Sequence, residues 1–340
     1  MTAPLLEVQD LTLEYLTSQG RVSALDGVSF TLERGEALGL VGESGSGKTS
    51  IAISLLNLLP DNARILGGSV RLDGVELLTL DESQIRAYRG NKIALIFQAA
   101  MNSLNPVYRV GDQIVEPMKL HLGLTPKQAK RRVGELFEVM GLDPDQASRY
   151  PHELSGGMKQ RVVIAMALSC DPDVIVADEP TTALDAIIQD QILRNLKDVQ
   201  RRNEMGMLYI THDMAVIAEV ADRVGVMYGG RLVEIGDVES ILNEPAHPYT
   251  AALTSSIPSV RGELKELTPL EGAPPDPTNL PNGCRFHPRC PYATEECRNM
   301  EPIAVTDDGR SVACWNPLAT PTRGARVPAR SNNRQQQTGR

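Results

Sequence analysis

The octet Gly42-Glu43-Ser44-Gly45-Ser46-Gly47-Lys48-Thr49 restricts what this chain can become more than any other feature. It fits G-x-x-x-x-G-K-[S/T] at every fixed position. It also lies between a short apolar run, Ala37 to Val41, and a helical pattern from Thr49 to Leu59 that Pro60 stops. In a strand–loop–helix of this kind the glycines let successive backbone N–H groups converge on phosphate oxygens, and the helix N-terminus adds a favourable dipole. Lys48 is placed to reach β- and γ-phosphates and the Thr49 hydroxyl to ligate Mg²⁺, with Gly42, Ser44, Gly45, Ser46, Gly47 and Ser50 completing the cradle. The alternative is a glycine-rich turn that holds nothing.

Three further apolar runs, Lys92–Phe97, Asp173–Ala177 and Leu208–Thr211, read as strands. Continuous apolar runs separated by helices mark parallel strands covered on both faces. Asp178 follows such a run, so its carboxylate emerges at the C-terminal edge of the sheet, where ligands of open α/β sheets bind, and it is a candidate Mg²⁺ ligand. Its neighbour Glu179 can polarise an attacking water. Between Gln113 and Met140 the pattern becomes helical, with Thr125 as N-cap and Gly141 as C-cap, which suggests a helical subdomain set into an α/β core. Leu154-Ser155-Gly156-Gly157-Met158-Lys159-Gln160 then opens an apolar helix whose inner face is read as Val162, Val163, Met166, Ala167 and Cys170. Ser155, Gly156 and Gly157 present a hydroxyl and backbone donors at that helix N-terminus, suited to a second phosphate contact.

Composition removes whole classes of function. The 340 residues suggest about two domains, and a net charge of −9 argues against a nucleic-acid coat. The opening MTAPLLEVQD lacks a secretory pattern, and no apolar run approaches the roughly 18–20 residues of a membrane span, so neither export nor membrane spanning is expected. Of five cysteines, Cys170 reads as a small buried core residue inside its helix. Cys284, Cys290, Cys297 and Cys314 follow C-x5-C-x6-C-x16-C. Four soft thiolates suit an iron–sulfur cluster or tetrahedral Zn²⁺, or they stay reduced as structural thiols. The gaps exceed those of common zinc sites, which favours a cubane cluster; His287 is read as packing locally. Prolines gather after residue 243, suggesting an extended connection, and the basic tail 318–340 reads as disordered.

With these residues in view the chain resembles the ATP-binding subunits of ABC transporters, for which Leu154-Ser155-Gly156-Gly157 is the signature. Tyr15 stands where that family stacks an aromatic ring on adenine, Gln98 matches the Q-loop, Asp185 the D-loop, and His212 the switch histidine. The resemblance implies an α/β fold: a P-loop NTPase cassette with a RecA-like parallel sheet core, an antiparallel β subdomain and a helical signature subdomain. The cassette would occupy residues 5–243, with the helical part at about 99–160, followed by a cysteine-rich C-terminal extension over 244–317. It implies ATP and Mg²⁺ as ligands, with Thr49, Gln98 and Asp178 around the metal. It also implies two subunits head to tail, each ATP lying between Lys48 of one and Ser155–Gly157 of the other. Glu179 would be the general base or water-orienting residue, with His212 and Gln98 positioning the γ-phosphate and water. Two departures stand out: the signature reads LSGGM, and Gln98 is followed by Ala99-Ala100 where relatives often carry an acid and a proline.

Met101-Asn102-Ser103-Leu104-Asn105-Pro106, the segment Glu244-Pro245-Ala246-His247-Pro248-Tyr249-Thr250 and the cysteine-rich end narrow the resemblance to dipeptide and oligopeptide importers. That branch implies a 4Fe–4S cluster on Cys284, Cys290, Cys297 and Cys314, two membrane-spanning permease subunits, a paralogous ATPase subunit or a second copy, and indirect contact with an extracytoplasmic solute-binding protein. The place implied is the cytoplasmic face of the cell membrane, with no nucleic-acid partner. The same ATPase role could power import of an oligosaccharide, a nickel complex or glutathione; a soluble ABC ATPase not tied to transport is the remaining alternative. The His-Pro-Tyr-Thr segment offers no chemistry of its own beyond a helix-start turn.

Overall fold

Strand residues buried on both faces build the centre of this molecule. The computed structural model describes residues 3–18, 20–98, 100–182, 184–255, 271–307 and 309–319. In chain order it begins with β1 (Leu6–Thr17), β2 (Gly20–Leu32), β3 (Ala37–Val41), α1 (Lys48–Leu55), β4 (Ala63–Leu72), β5 (Val75–Glu76), α2 (Glu82–Ile85) and β6 (Ile93–Ile96). Next come α3 (Val110–Leu122), α4 (Pro126–Val139), α5 (Gly156–Ala167), β7 (Val174–Asp178), α6 (Ala186–Asn203), β8 (Gly206–Thr211), α7 (Met214–Val220), β9 (Arg223–Tyr228) and β10 (Arg231–Asp237). The last elements are α8 (Val238–Asn243), α9 (Pro248–Ser255), α10 (Glu295–Asn299), β11 (Val305–Asp307) and β12 (Arg310–Val312).

Among the described residues two sheets form. The larger has the order β11-β12-β10-β9-β3-β8-β7-β6, with β9, β3, β8, β7 and β6 parallel to their neighbours in that run. The smaller, β2-β1-β4-β5, is antiparallel throughout. Every residue of β3, β7 and β8 is buried, and alternate side chains enter different cores. Leu38, Leu40, Val174, Val176, Leu208 and Ile210 join the core shared with α1 and the antiparallel sheet. Their sequence neighbours Ala37, Val41, Ile175, Ala177, Met207 and Tyr209 face the core that holds the α3–α7 helices. This two-sided burial is why these strands carry no polar alternation.

The helical excursion is set by local signals. Thr125 and Gln128 form a reciprocal capping box, Pro126 opens α4, and Gly141 at φ 68° follows its last turn. Three expectations need correction. α1 ends at Leu55 rather than Leu59, because Asn57 turns left-handed at φ 50° and the Arg89 guanidinium takes the carbonyls of Leu56 and Asn57. α5 buries a continuous run, Val162 to Ala165, with Met166 and Ala167 only half-buried, so it has no single inner face. Cys170 lies past its end in a turn beside Ser169, buried as expected but outside the helix.

The segment read as an extended connection does more than extend. β12 adds to the large sheet, Glu234 pairing with Val312 and Ile235 with Ser311, and β11 follows at the edge. Phe286 is fully buried against Tyr228 and Tyr249, with ring centroids 5.2 and 5.3 Å apart. No described helix is long and apolar enough to cross a membrane. Ala99, Ala183, Pro258, Pro269 and the tail from 320 to 340 lie outside the described residues. Replacing Phe286 by Ala removes the ring that joins the C-terminal segment to the cassette, and the expected loss is about 3–5 kcal/mol in urea unfolding, with Phe286→Leu losing far less.

Candidate functional site

The loop between β3 and α1 is shaped by its glycines. Gly42, Gly45 and Gly47 adopt φ of 155°, 79° and 103°. A Cβ at Gly42 would come within 2.2 Å of the Met227 carbonyl oxygen, and one at Gly47 within 2.5 Å of that of Ala24, so both positions exclude a side chain. Behind the loop, Lys48 is buried, and its Nζ donates to the carbonyls of Gly42 and Glu43 at 2.7 and 2.9 Å and to Ser46 Oγ at 3.3 Å. Burial lowers its pKa, against the pull of Glu179, Asp178 and Glu43. Burial raises the pKa of the Asp178 carboxyl, and the neighbouring Thr49 hydroxyl partly offsets that rise. The Tyr15 hydroxyl lies 3.1 Å from Ser50 Oγ, which brings the aromatic of β1 beside the start of α1.

Glu179 is the most constrained residue of the site. It adopts φ 49°, a conformation rare for a non-glycine residue, with its N–H bonded to the Ile210 carbonyl at 2.8 Å. Its Oε2 accepts from Gln98 Nε2 at 2.7 Å and from the Thr182 hydroxyl at 2.9 Å; its Oε1 lies 2.8 Å from His212 Nδ1. Burial pushes its pKa up, but the hydrogen bonds from His212 and Thr182 outweigh it and leave the carboxyl below its ordinary value. Adjacent carboxylates are thus driven in opposite directions, Glu179 towards the ionised form and Asp178 away from it. Gln98, Glu179 and His212, from three different loops, therefore converge; Thr182 belongs with them and carried no signal in the sequence beyond its closeness to Glu179.

Ser155, Gly156 and Gly157 lie elsewhere. Ser155 caps α5, its Oγ accepting from the Met158 N–H at 3.4 Å, and Asp185 caps α6, accepting from the Ile188 N–H at 2.9 Å. The two caps share one open depression that also takes in Arg161. Its lining has no residue in common with the pocket bordered by Glu43, Ser44, Gly45 and Ser46. One chain thus carries two phosphate-suited helix N-termini that do not face each other across a common pocket.

A third constellation was invisible in the sequence. The Tyr249 hydroxyl accepts from the Glu43 N–H at 2.9 Å, and Arg289 clamps the Glu43 carboxylate through Nη1 at 2.6 Å and Nη2 at 3.0 Å. His247 is 1 % exposed, and burial depresses its pKa to about 3, so the ring is neutral and its Nδ1 accepts from the Tyr249 N–H. Buried Glu234 in turn accepts from the N–H groups of Ala246 and His247 and pairs with Arg310. The segment that offered only a turn is thus anchored beneath the phosphate loop.

Cys284, Cys290, Cys297 and Cys314 line one small pocket, about 10 Å³, with Phe286 and Trp315. Four thiols are the donor set of soft metals, but among the described residues no group of three or more His, Cys, Asp or Glu is arranged to hold a metal ion. Burial, with smaller contributions from the neighbouring thiols, pushes Cys284 up to about 11 and Cys314 to about 12, and it raises Cys290 as well. His287 turns its Nδ1 to the Cys284 carbonyl at 2.9 Å, packing locally as expected.

The family described as ABC transporter matches residues 25–182, and the region described as oligopeptide/dipeptide transporter, C-terminal region, matches residues 233–297. The oligopeptide transport ATP-binding protein AppD of Bacillus subtilis is 44 % identical over 315 residues, covering 92 % of this chain and 96 % of that protein. The dipeptide transport ATP-binding protein DppD of Haemophilus influenzae is 44 % identical over 317 residues, with the same coverage of 92 % and 96 %. A dimeric ATP-binding cassette in a post-hydrolysis state with ADP and Pi superposes with a TM-score of 0.63 at 26 % identity, over 68 % of this chain and 98 % of that one. Lys48→Ala removes the only buried ammonium of the loop among the described residues. Equilibrium titration with a fluorescent nucleotide should show affinity falling by about tenfold or more, as expected for a lost charge-assisted phosphate contact.

Proposed function

The chain belongs to the ATP-binding subunits of ABC transporters, in the oligopeptide and dipeptide import branch, and we propose that its hydrolytic centre is the Glu179 carboxylate held between Gln98, Thr182 and His212. Its activity is ATP hydrolysis in support of peptide import. The observation that carries the assignment is the convergence of Gln98, Thr182 and His212 on the Glu179 carboxylate next to the phosphate loop, the bonds from His212 and Thr182 holding its pKa below the ordinary value against burial.

In this reading the loop N–H groups and Lys48 take the β- and γ-phosphates, the lysine exchanging carbonyl partners for phosphate oxygens, while Tyr15 stacks on the base. The oxygen-rich pair Thr49 and Asp178, with Gln98, suits Mg²⁺, which would neutralise charge on the β- and γ-phosphate oxygens. Glu179 accepts a proton from water as the water oxygen bonds the γ-phosphorus. The bond to the β–γ bridging oxygen breaks and ADP leaves with that electron pair. His212 holds Glu179 in place and faces the γ-phosphate. The Ser155–Gly157 turn lines a separate depression from the phosphate loop, which supports a head-to-tail dimer in which each chain completes the other's site, with Asp185 beside the turn. The second chain is a paralogue or another copy.

Two permease subunits, with this chain on the cytoplasmic face of the membrane, are the proposed partners, and a solute-binding protein delivers the peptide from outside. The exposure of Val107 (70 %) and Tyr108 (57 %), directly after the Met101–Pro106 segment, supports a docking surface there. Cys284, Cys290, Cys297 and Cys314 are proposed to hold a 4Fe–4S cluster with a structural role; what supports it is that the four thiols line one pocket.

Two experiments test these assignments. Glu179→Gln should bind ATP normally, accumulate as a closed dimer and lose turnover by roughly 10²–10⁴-fold; near-normal turnover would remove Glu179 from its role. Anaerobically purified protein should carry about four irons and four sulfides per chain with broad absorbance near 400 nm, as Cys₄ ligation of such a cluster requires. Zinc in their place, or no metal, would reduce the four thiols to a structural clip.

A further inference from the structure

The phosphate loop is held from outside the cassette. Glu43 occupies a variable position of the octet, yet it is gripped at three points. Its N–H bonds Tyr249 Oη, its carboxylate receives the two-pronged Arg289, and its carbonyl accepts from Lys48 Nζ. Arg289 has no slack: its side chain is 5 % exposed, Nε donates to the Glu271 carbonyl at 2.9 Å, and Nη1 also reaches Tyr228 Oη at 3.3 Å. A second tie runs parallel. Arg285 donates to the Gly229 carbonyl and pairs with Asp26, and the adjoining Gly230 N–H bonds the Ser46 carbonyl at 3.0 Å. One flank of the loop that wraps Lys48 is thus pinned directly by residues that follow the cassette in sequence, and the other through the Gly229–Gly230 turn on which Arg285 bears.

A surface ion pair would need no such construction. A bidentate guanidinium–carboxylate pair fixes orientation as well as charge, and here the guanidinium is buried, its remaining contacts ending on the Glu271 carbonyl and the Tyr228 hydroxyl. The loop must keep its N–H groups convergent while Lys48 is drawn to its carbonyls. Fixing Glu43 at backbone and side chain removes the freedom of the loop to collapse onto that lysine, which lowers the ordering cost of binding phosphate.

We infer that Arg289 and Tyr249 are positioning residues for ATP: through Glu43 they hold the phosphate loop in its binding shape, so the cysteine-bearing segment acts on nucleotide affinity. The inference rests on the ATPase reading of the site. The test compares full-length Arg289→Ala, Arg289→Lys, Tyr249→Phe, Glu43→Ala and the double Glu43→Ala/Arg289→Ala, measuring KM for ATP, kcat and melting temperature. Arg289→Ala should raise KM roughly tenfold, the size expected for a lost charge-assisted pair, with kcat changed by less than about threefold. Arg289→Lys, which keeps the charge, should recover part of this. Tyr249→Phe keeps the packing and should raise KM about threefold at an unchanged melting temperature, so it carries the test should Arg289→Ala fail to fold. The double variant should be no worse than Glu43→Ala. Unchanged KM in the folded variants, or additive effects in the double, would overturn the inference. A parent chain without ATP turnover would strike the ATPase reading instead.

Discussion

A lysine ammonium taken out of water at the edge of a sheet is the constraint around which this structure is arranged. An unpaired buried charge is expensive, so the chain must bring acceptors to it. It does so with the carbonyls of Gly42 and Glu43 and the Ser46 hydroxyl, which is possible only because the loop bends through three left-handed glycines. Because a peptide unit is planar and trans, each carbonyl turned inward toward Lys48 leaves the N–H of the same unit on the opposite edge of the loop. The cation site and the anion cradle are thus two faces of one backbone conformation. The tight approach of Met227 and Ala24 to Gly42 and Gly47 binds that conformation to β9 and β2.

The carboxylates obey the same logic in reverse. Asp178 and Glu179 are neighbours, yet one ends a buried strand with few partners and the other is swung out by a strained backbone into three hydrogen-bonding side chains. The strain at Glu179 is held by the bond from its N–H to the Ile210 carbonyl of the next strand, so sheet pairing maintains a conformation the residue would not choose alone. That arrangement gives two acids with different tasks from a single dipeptide.

Much of this was legible in the sequence because it depends on short-range signals. The octet, the apolar run ending at Asp178, the Thr125 cap and the Leu154–Gly157 turn each declare themselves within a few residues, and the structure places them on the elements they announce. What was hidden depends on distance along the chain. Nothing near Glu43 signals Arg289, and nothing near His247 signals that its value lies in being neutral and buried beneath a tyrosine. The β11–β12 hairpin was missed because its strands are three residues each and their burial comes from β10, not from their own pattern. The end of α1 was misplaced for a similar reason: Arg89, from a later helix-to-strand turn, takes the carbonyls that would have continued it.

The C-terminal segment changes meaning once these long-range contacts are counted. A separate appendage would meet the cassette over a surface that either side could lose. Here the segment supplies an edge strand to the large sheet, a ring to the aromatic cluster of Tyr228 and Tyr249, and two arginines to the turns around Lys48. Phe286 lies between Arg285 and Arg289 in sequence, so the same short stretch both packs and clamps. Loosening its packing must loosen both arginines, and the pocket of four thiols borders that stretch directly. Stability of the extension and geometry of the phosphate loop are therefore one quantity, set by whatever keeps residues 284–290 folded.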